Sequence, residues 1–283
     1  MNPDPLIKAI DVGYTYPNGT PALDGINFIA NKGEKIALIG PNGSGKSTFL
    51  YLLDGLLLPT TGKIWIKGEE LTKKNLDRIR PIIGFIFQNP DDQLFSHTIW
   101  DDVAFGPRNL GLDDKEVEKR VKRSLEILDI LELSDKSPNN LSGGQKRLAS
   151  IAGVLAMDPE IILLDEPTSN LDPRSSSNLI RLLLNLNKER GITLIIATHD
   201  IDNVPLYSDK VYVMKGGKFI SEGSPEDIFS RPDIIRDASL RLPRITHLME
   251  ILNKEDGIPI RNPYPLTIGE ARNEILRHVK KEQ

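Results

Sequence analysis

Eight residues, Gly40-Pro-Asn-Gly-Ser-Gly-Lys-Ser47, limit what this chain can become more than any other stretch. They match the pattern G-x-x-x-x-G-K-[ST], after an apolar run at 35–39 and before a segment expected to be helical. Gly43 and Gly45 let successive backbone N–H groups turn inward around an anion, a path that side chains would obstruct. The helix that follows adds the positive end of its dipole. Lys46 is then set to reach the β and γ phosphates of a nucleotide as a point charge, and the Ser47 hydroxyl to ligate Mg2+. The expected nucleotide-binding set here is Gly40, Pro41, Asn42, Gly43, Ser44, Gly45, Lys46, Ser47 and Thr48.

A strand, a glycine turn and a helix in that order call for an α/β fold, and the flanking sequence agrees. Strands are expected at 7–14, 26–30 and 35–39, punctuated by Pro17, Gly19, Pro21 and Gly33, with further strands at 64–67 and 82–87. Residues 113–131 carry helical spacing at Val117, Val121, Leu125 and Leu128. A helix at 145–156, a strand at 161–164, a helix after Pro173 and a strand at 192–197 then alternate, as in a parallel sheet covered by helices. The stretch 113–157 lacks a strand and reads as a helical subdomain inserted into the sheet core. From Ser224 onward, Pro225, Pro232, Pro243, Pro259, Pro263 and Pro265 break the chain into short helices, expected as a small appended domain.

Composition excludes several functions. A net charge of -4 argues against a partner such as nucleic acid, whose binding depends on phosphate neutralisation, so no nucleic acid is expected. The absence of cysteine rules out disulfides, thiolate metal sites and cysteine nucleophiles, and fits a reducing compartment. The apolar runs at 161–164, 182–184 and 192–197 fall far short of the ~20 residues a membrane-spanning helix needs. Residues 1–10 lack the basic and apolar pattern of a secretory leader, so the chain is expected in the cytoplasm.

Two further stretches carry chemistry. Ile161-Ile-Leu-Leu-Asp165-Glu166 is an apolar strand ending in two acids. Asp165 at its edge can hold Mg2+ through water, and Glu166 can polarise an attacking water as general base. Taken alone, the pair could also be acids capping a strand at the solvent boundary. Leu141-Ser-Gly-Gly-Gln145 precedes a helix and forms a second anion-ready helix start through Ser142, Gly143, Gly144 and Gln145, although Ser-Gly-Gly before a helix is also an ordinary cap. One chain thus has one phosphate loop but two glycine-bearing cradles. Two copies meeting head to tail around shared ATP would use both, which predicts a two-fold dimer.

The phosphate loop, residues 141–145, Asp165-Glu166, Ser169-Asn-Leu-Asp172 and Thr198-His199 stand in an order and spacing that resemble the nucleotide-binding domains of ABC transporters, over roughly residues 6–229. The resemblance implies a P-loop NTPase with a parallel-sheet core, an N-terminal antiparallel β subdomain, an inserted helical subdomain at about 89–157 and a small C-terminal helical extension. It divides the chain into 1–223 and 224–283. It implies ATP and Mg2+ as ligands, Gln88 sensing Mg2+ and the attacking water, Asp172 coupling the two sites, His199 contacting the γ-phosphate and Tyr16 stacking on adenine. Each has a plainer alternative: Gln88 a surface amide, Asp172 before Pro173 a helix cap, His199 a boundary histidine, and Tyr16, which alternates with Tyr14 on one strand, a core residue as either of them could be.

Gln88-Asn-Pro-Asp-Asp-Gln93-Leu-Phe95 and Asp102-Val-Ala-Phe-Gly-Pro-Arg-Asn-Leu-Gly111 are similar to the ATPases of energy-coupling-factor importers, including cobalt and nickel uptake systems. This implies a motor working as a homodimer, or as a heterodimer with a second ABC ATPase. It would sit peripherally on the cytoplasmic face of the membrane, against a T-type scaffold protein and a substrate-binding membrane protein. Metal ions and vitamins both remain open as cargo. The segment bearing Leu94, Phe95, Trp100 and Phe105 reads as the scaffold's docking groove, or else as packing of the helical subdomain. The tail, with Ile258-Pro-Ile and Thr267-Ile-Gly-Glu-Ala, is similar to the dimerising extension of this subfamily. Other ABC importers and exporters are alternatives. DNA-repair members, which have a long coiled coil between motifs, and ribosomal members, which usually have two ATPase domains on one chain, fit less well.

Overall fold

The computed structural model describes residues 4–279. β1 (Ile7–Thr15) and β2 (Pro21–Ala30) form an antiparallel pair, and β3 (Lys35–Ile39) leads through residues 40–45 into α1 (Lys46–Leu53). β4 (Thr61–Ile66) and the short β5 (Glu69–Glu70) complete a four-stranded antiparallel sheet in the order β2-β1-β4-β5. After α2 (Leu76–Ile79) and β6 (Ile83–Ile86) come three helices without a strand, α3 (Ile99–Asn109), α4 (Asp114–Ile127) and α5 (Gly143–Ala156). β7 (Ile161–Asp165), α6 (Pro173–Arg190), β8 (Thr193–Thr198), α7 (Val204–Tyr207), β9 (Lys210–Lys215) and β10 (Lys218–Gly223) follow. A second sheet runs in the order β10-β9-β3-β8-β7-β6, parallel throughout except for β10. The expected mixed α/β fold, with a parallel core and a separate antiparallel sheet, is the observed one.

Why β3, β7 and β8 read as continuous apolar runs is clear from their two faces. Ile36, Leu38, Leu163 and Ile195 pack with α1 and the antiparallel sheet. Their neighbours Ala37, Ile39, Ile162, Leu164 and Ile196 pack against residues of α5 and α6. A sheet covered on both sides has no solvent face, so its strands lose the polar alternation of a half-exposed one.

Five local features differ from the sequence expectation. β2 starts at Pro21 and β4 at Thr61, each earlier than the apolar pattern suggests. Within the expected helical subdomain, 99–109 forms α3, for which no individual helix was expected; it is started by Thr98, whose hydroxyl accepts from the Asp101 backbone, and carries Pro107 inside it. α5 starts at Gly143 rather than 145, because Ser142 and Gln145 form a reciprocal capping box at 3.3 and 3.0 Å. The β9–β10 hairpin, absent from the sequence expectation, turns on Gly216-Gly217 with φ of 53° and 79°.

Beyond residue 224 lie α8 (Pro225–Phe229), α9 (Pro232–Asp237), α10 (Arg244–Lys254) and α11 (Ile268–Val279). Buried Glu250 on α10 accepts from Arg236 of α9 at 2.6 Å and from Lys254 at 2.9 Å. Met249, Ile260 and Ala271 form a small separate core. None of the described helices is long and apolar enough to cross a membrane.

Candidate active site

The parallel strands end together. Ile39 stands beside Thr198, Asp165 beside Ala197 and Ile86 beside Leu164, so the loops leaving β3, β6, β7 and β8 emerge at one sheet edge. That edge is where open α/β sheets bind ligands. Residues 40–47, Phe87-Gln88, Glu166 and His199 all leave the sheet there.

In the phosphate loop, Gly45 caps α1 at φ 109°, in the region that favours glycine, and a Cβ there would lie 2.8 Å from Leu23 Cδ2. Lys46 is buried and its Nζ donates to the carbonyls of Gly40 at 2.8 Å and Pro41 at 3.1 Å. Burial pulls its ammonium below the ordinary range, with Glu166 and Asp165 opposing. Ser44 is buried with its Oγ unpartnered. Thr48 meets the Tyr16 hydroxyl at 2.8 Å, while Tyr14 lies in the core with its ring edge-on to Tyr16. Of the two tyrosines, Tyr16 is the one hydrogen-bonded to Thr48 at the start of α1.

Glu166 has φ 46°, a left-handed conformation costing about 1 kcal/mol or more for a non-glycine residue. The conformation is held by its N–H donating to Ala197 O at 2.9 Å. Its buried carboxylate lies 2.8 Å from His199 Nδ1, 3.9 Å from Lys46 Nζ and 3.2 Å from the donating Thr198 hydroxyl. Asp165 is buried too, and its Oδ1 has no partner. Burial pushes the Asp165 carboxyl above its ordinary value, with the Ser47 hydroxyl beside it acting in the opposite direction.

These orphaned atoms suit Mg2+ and a polyphosphate. A lysine parked on loop carbonyls, a buried serine hydroxyl and a carboxylate oxygen without a donor are groups that an anion and a hard cation would satisfy. Among the described residues no three His, Asp or Glu side chains are grouped to hold a metal by themselves. One hydroxyl and one carboxylate match an ion that keeps waters and phosphate oxygens as its other ligands.

Other expected residues stand apart. Ser142, Gly143, Gly144 and Gln145 open α5 and make no hydrogen bond to the phosphate loop among the described residues. Asp172 caps α6, accepting from Arg174 N and Ser175 N at 3.0 Å, which is the plainer of its two readings. The Gln88 side chain is exposed, while its carbonyl and that of Phe87 accept from Arg147 on α5. Arg147 is absent from the expected site residues, and Thr198, which donates to Glu166, is expected only as part of the Thr198-His199 motif. The available signal for Arg147 was a charge at helical spacing with buried Ile151 and Leu155.

Along β6, the last strand of the parallel sheet, lies a groove of about 750 Å³, whose walls include Asp54, Phe85, Leu94, Phe95, Phe105 and Val154. Phe95 and Phe105 are 67% and 48% exposed, with ring centroids 4.9 Å apart. Leu94 and Trp100, expected with them, pack partly against the core. Burial pushes the Asp54 carboxyl up to about 7, opposed by Arg80.

Residues 23–169 match the ABC transporter family. The chain is 51% identical over 279 residues to the energy-coupling factor transporter ATP-binding protein EcfA of Methanocaldococcus jannaschii, covering 98% of this chain and 99% of the relative. It is 52% identical over 279 residues to EcfA of Methanococcus maripaludis, with the same coverage. Among solved structures, cbiO1 of Clostridium perfringens, part of the ABC transporter complex cbiONQ, has a TM-score of 0.76 and 46% identity over 88% of this chain and 100% of that one. A dimeric ATP-binding cassette in a post-hydrolysis state with ADP and Pi has a TM-score of 0.71 and 32% identity, covering 77% and 98%. Likeness this deep over nearly the whole length makes the chain an Mg2+- and ATP-binding ATPase of the ABC transporter family, of the energy-coupling factor type.

Proposed function

We propose that this ATPase is the motor of an energy-coupling factor importer, acting as a dimer on the cytoplasmic face of the membrane. The observation that carries the reading is the separation of two anion-ready helix starts within one chain. Lys46 and the carboxylates gather at one sheet edge, while the Ser142 helix start makes no hydrogen bond to its own phosphate loop among the described residues. A second copy supplying Ser142, Gly143, Gly144 and Gln145 completes each nucleotide site.

In this reading the backbone of residues 40–48 and the Lys46 ammonium bind the phosphates, and Tyr16 stacks on adenine. Ser47, Asp165 and Gln88 hold Mg2+, which supplies charge neutralisation for the phosphate oxygens. Glu166 takes a proton from water as the water oxygen bonds to the γ-phosphorus and the bond from phosphorus to the ADP oxygen breaks. His199, bonded to Glu166, orients that carboxylate and reaches the γ-phosphate, and Asp172 links the two sites across the dimer.

Residues 1–223 form the nucleotide-binding domain, with its helical subdomain at about 89–157, and 224–283 the extension that strengthens dimerisation. The exposed Phe95–Phe105 pair docks a T-type scaffold protein, which works with a small substrate-binding membrane protein to import cobalt, nickel or a vitamin. Support for the importer comes from the names of the EcfA relatives and of the cbiONQ complex. The test is the mass of Glu166→Gln in solution at saturating Mg·ATP. Dimerisation is expected, and a strictly monomeric protein, alone and with any paralogue, refutes the motor.

A further inference from the structure

Arg147 is 2% exposed, yet among the described residues no carboxylate is bonded to it. Its two terminal nitrogens donate to the main-chain carbonyls of Phe87 and Gln88, and its Nε is buried without a partner. Desolvating a guanidinium to hold two peptide carbonyls is costly unless the position of those carbonyls matters. The same two stretches are tied twice more. Lys146 meets Asp91 at 2.5 Å, and the Gln93 amide donates to Ser150 O at 3.2 Å. Arg147 lies five residues from Ser142 along one rigid helix, about 7.5 Å of axial rise.

We propose that Arg147 is a positioning residue that joins the start of α5 and the Gln88 backbone into one unit, so that nucleotide engaging Ser142–Gln145 of one copy sets Gln88 of that same copy for hydrolysis. This rests on the reading that Gln88 meets Mg2+ and the attacking water. Among the described residues Arg147 itself makes no hydrogen bond to the phosphate loop or to Glu166, so it alters the rate and the metal response rather than ATP capture.

The experiment compares full-length Arg147→Met, Arg147→Lys, Gln88→Ala and the Arg147→Met/Gln88→Ala double variant for kcat, KM for ATP and half-saturating Mg2+. Arg147→Met is expected to keep KM within about twofold, lose about tenfold or more in kcat and need several times more Mg2+. Arg147→Lys, able to serve one carbonyl well but not both, recovers part of the loss. The double variant is no slower than the slower single variant, because both changes act through one group. Native kcat in Arg147→Met or Arg147→Lys, or multiplicative losses in the double variant, overturns the role of Arg147 while leaving that of Gln88 intact. Native kcat and Mg2+ response in Gln88→Ala overturns the Gln88 reading and this proposal with it. If Arg147→Met shows no cooperative unfolding transition, Arg147→Lys decides: partial loss with raised Mg2+ demand supports the role, and native behaviour refutes it.

Discussion

Asp54 offers a stability test with a definite sign. It is 8% exposed and caps the C-terminus of α1, so both burial and the negative helix end disfavour its charge. Burial is the larger cause and lifts its carboxyl from 3.8 to about 7 despite Arg80. A carboxylic acid with a raised folded value costs stability as pH rises: between about 4 and 7 the unfolded chain sheds the proton while the folded chain retains it. At ~1.4 kcal/mol per pH unit the full penalty is ~4 kcal/mol, reached above pH 7. Asp54→Asn keeps the shape and removes the charge. Its gain in unfolding free energy over the native chain should therefore grow by ~3 kcal/mol between pH 5 and pH 8. At pH 8 this corresponds to roughly 5–10 °C in Tm for a chain of this size. Urea unfolding at both pH values, without nucleotide, measures it. An equal effect at the two pH values, or a loss at pH 8, refutes the argument that this acid is held neutral by burial.

Three other outcomes follow from the geometry. Lys46→Ala removes the ammonium held on Gly40 O and Pro41 O, and should abolish the rise in Tm that Mg·ATP gives the native chain, leaving the Tm without nucleotide within a few degrees of native. Phe95→Asp or Phe105→Asp charges the exposed aromatic pair, and should prevent co-purification with the membrane complex while soluble ATPase activity stays within about twofold; equal loss of both, or of neither, counts against docking. Gly84→Ala would bring a Cβ to 2.1 Å from Val154 Cγ1 between β6 and α5, and should cost about 1–3 kcal/mol in chemical unfolding.

What the sequence alone could carry follows from how each part of the site works. The phosphate loop binds with its backbone, so its glycines must fall at fixed spacing within one short stretch, and a local pattern suffices to find it. β10 and α3 were hidden for different reasons. The Gly216-Gly217 pair is a hairpin signal that was available but unused, whereas Gly106 and Pro107 in α3 break a helical pattern that tertiary packing tolerates. Arg147 lies 59 residues from Gln88, and nothing local distinguishes a buried guanidinium from one on a solvated helix face.

The acid pair is the most instructive case, because its residue types were readable and its geometry was not. Two consecutive residues of an extended strand point to opposite faces, so Asp165 and Glu166 could not both serve one site had β7 simply continued. The chain ends the strand at Asp165 and turns Glu166 left-handed, bringing its carboxylate to His199 and within 3.9 Å of Lys46. Glutamate rarely adopts that conformation unaided. It persists here because Ala197 of β8 accepts the Glu166 N–H, and Thr198 and His199, the next two residues, hold the carboxylate. The orientation of the Glu166 carboxylate therefore depends on the β7–β8 register, in which Asp165 faces Ala197. A slip of one residue would remove all three restraints on Glu166 at once while leaving every motif in the sequence unchanged.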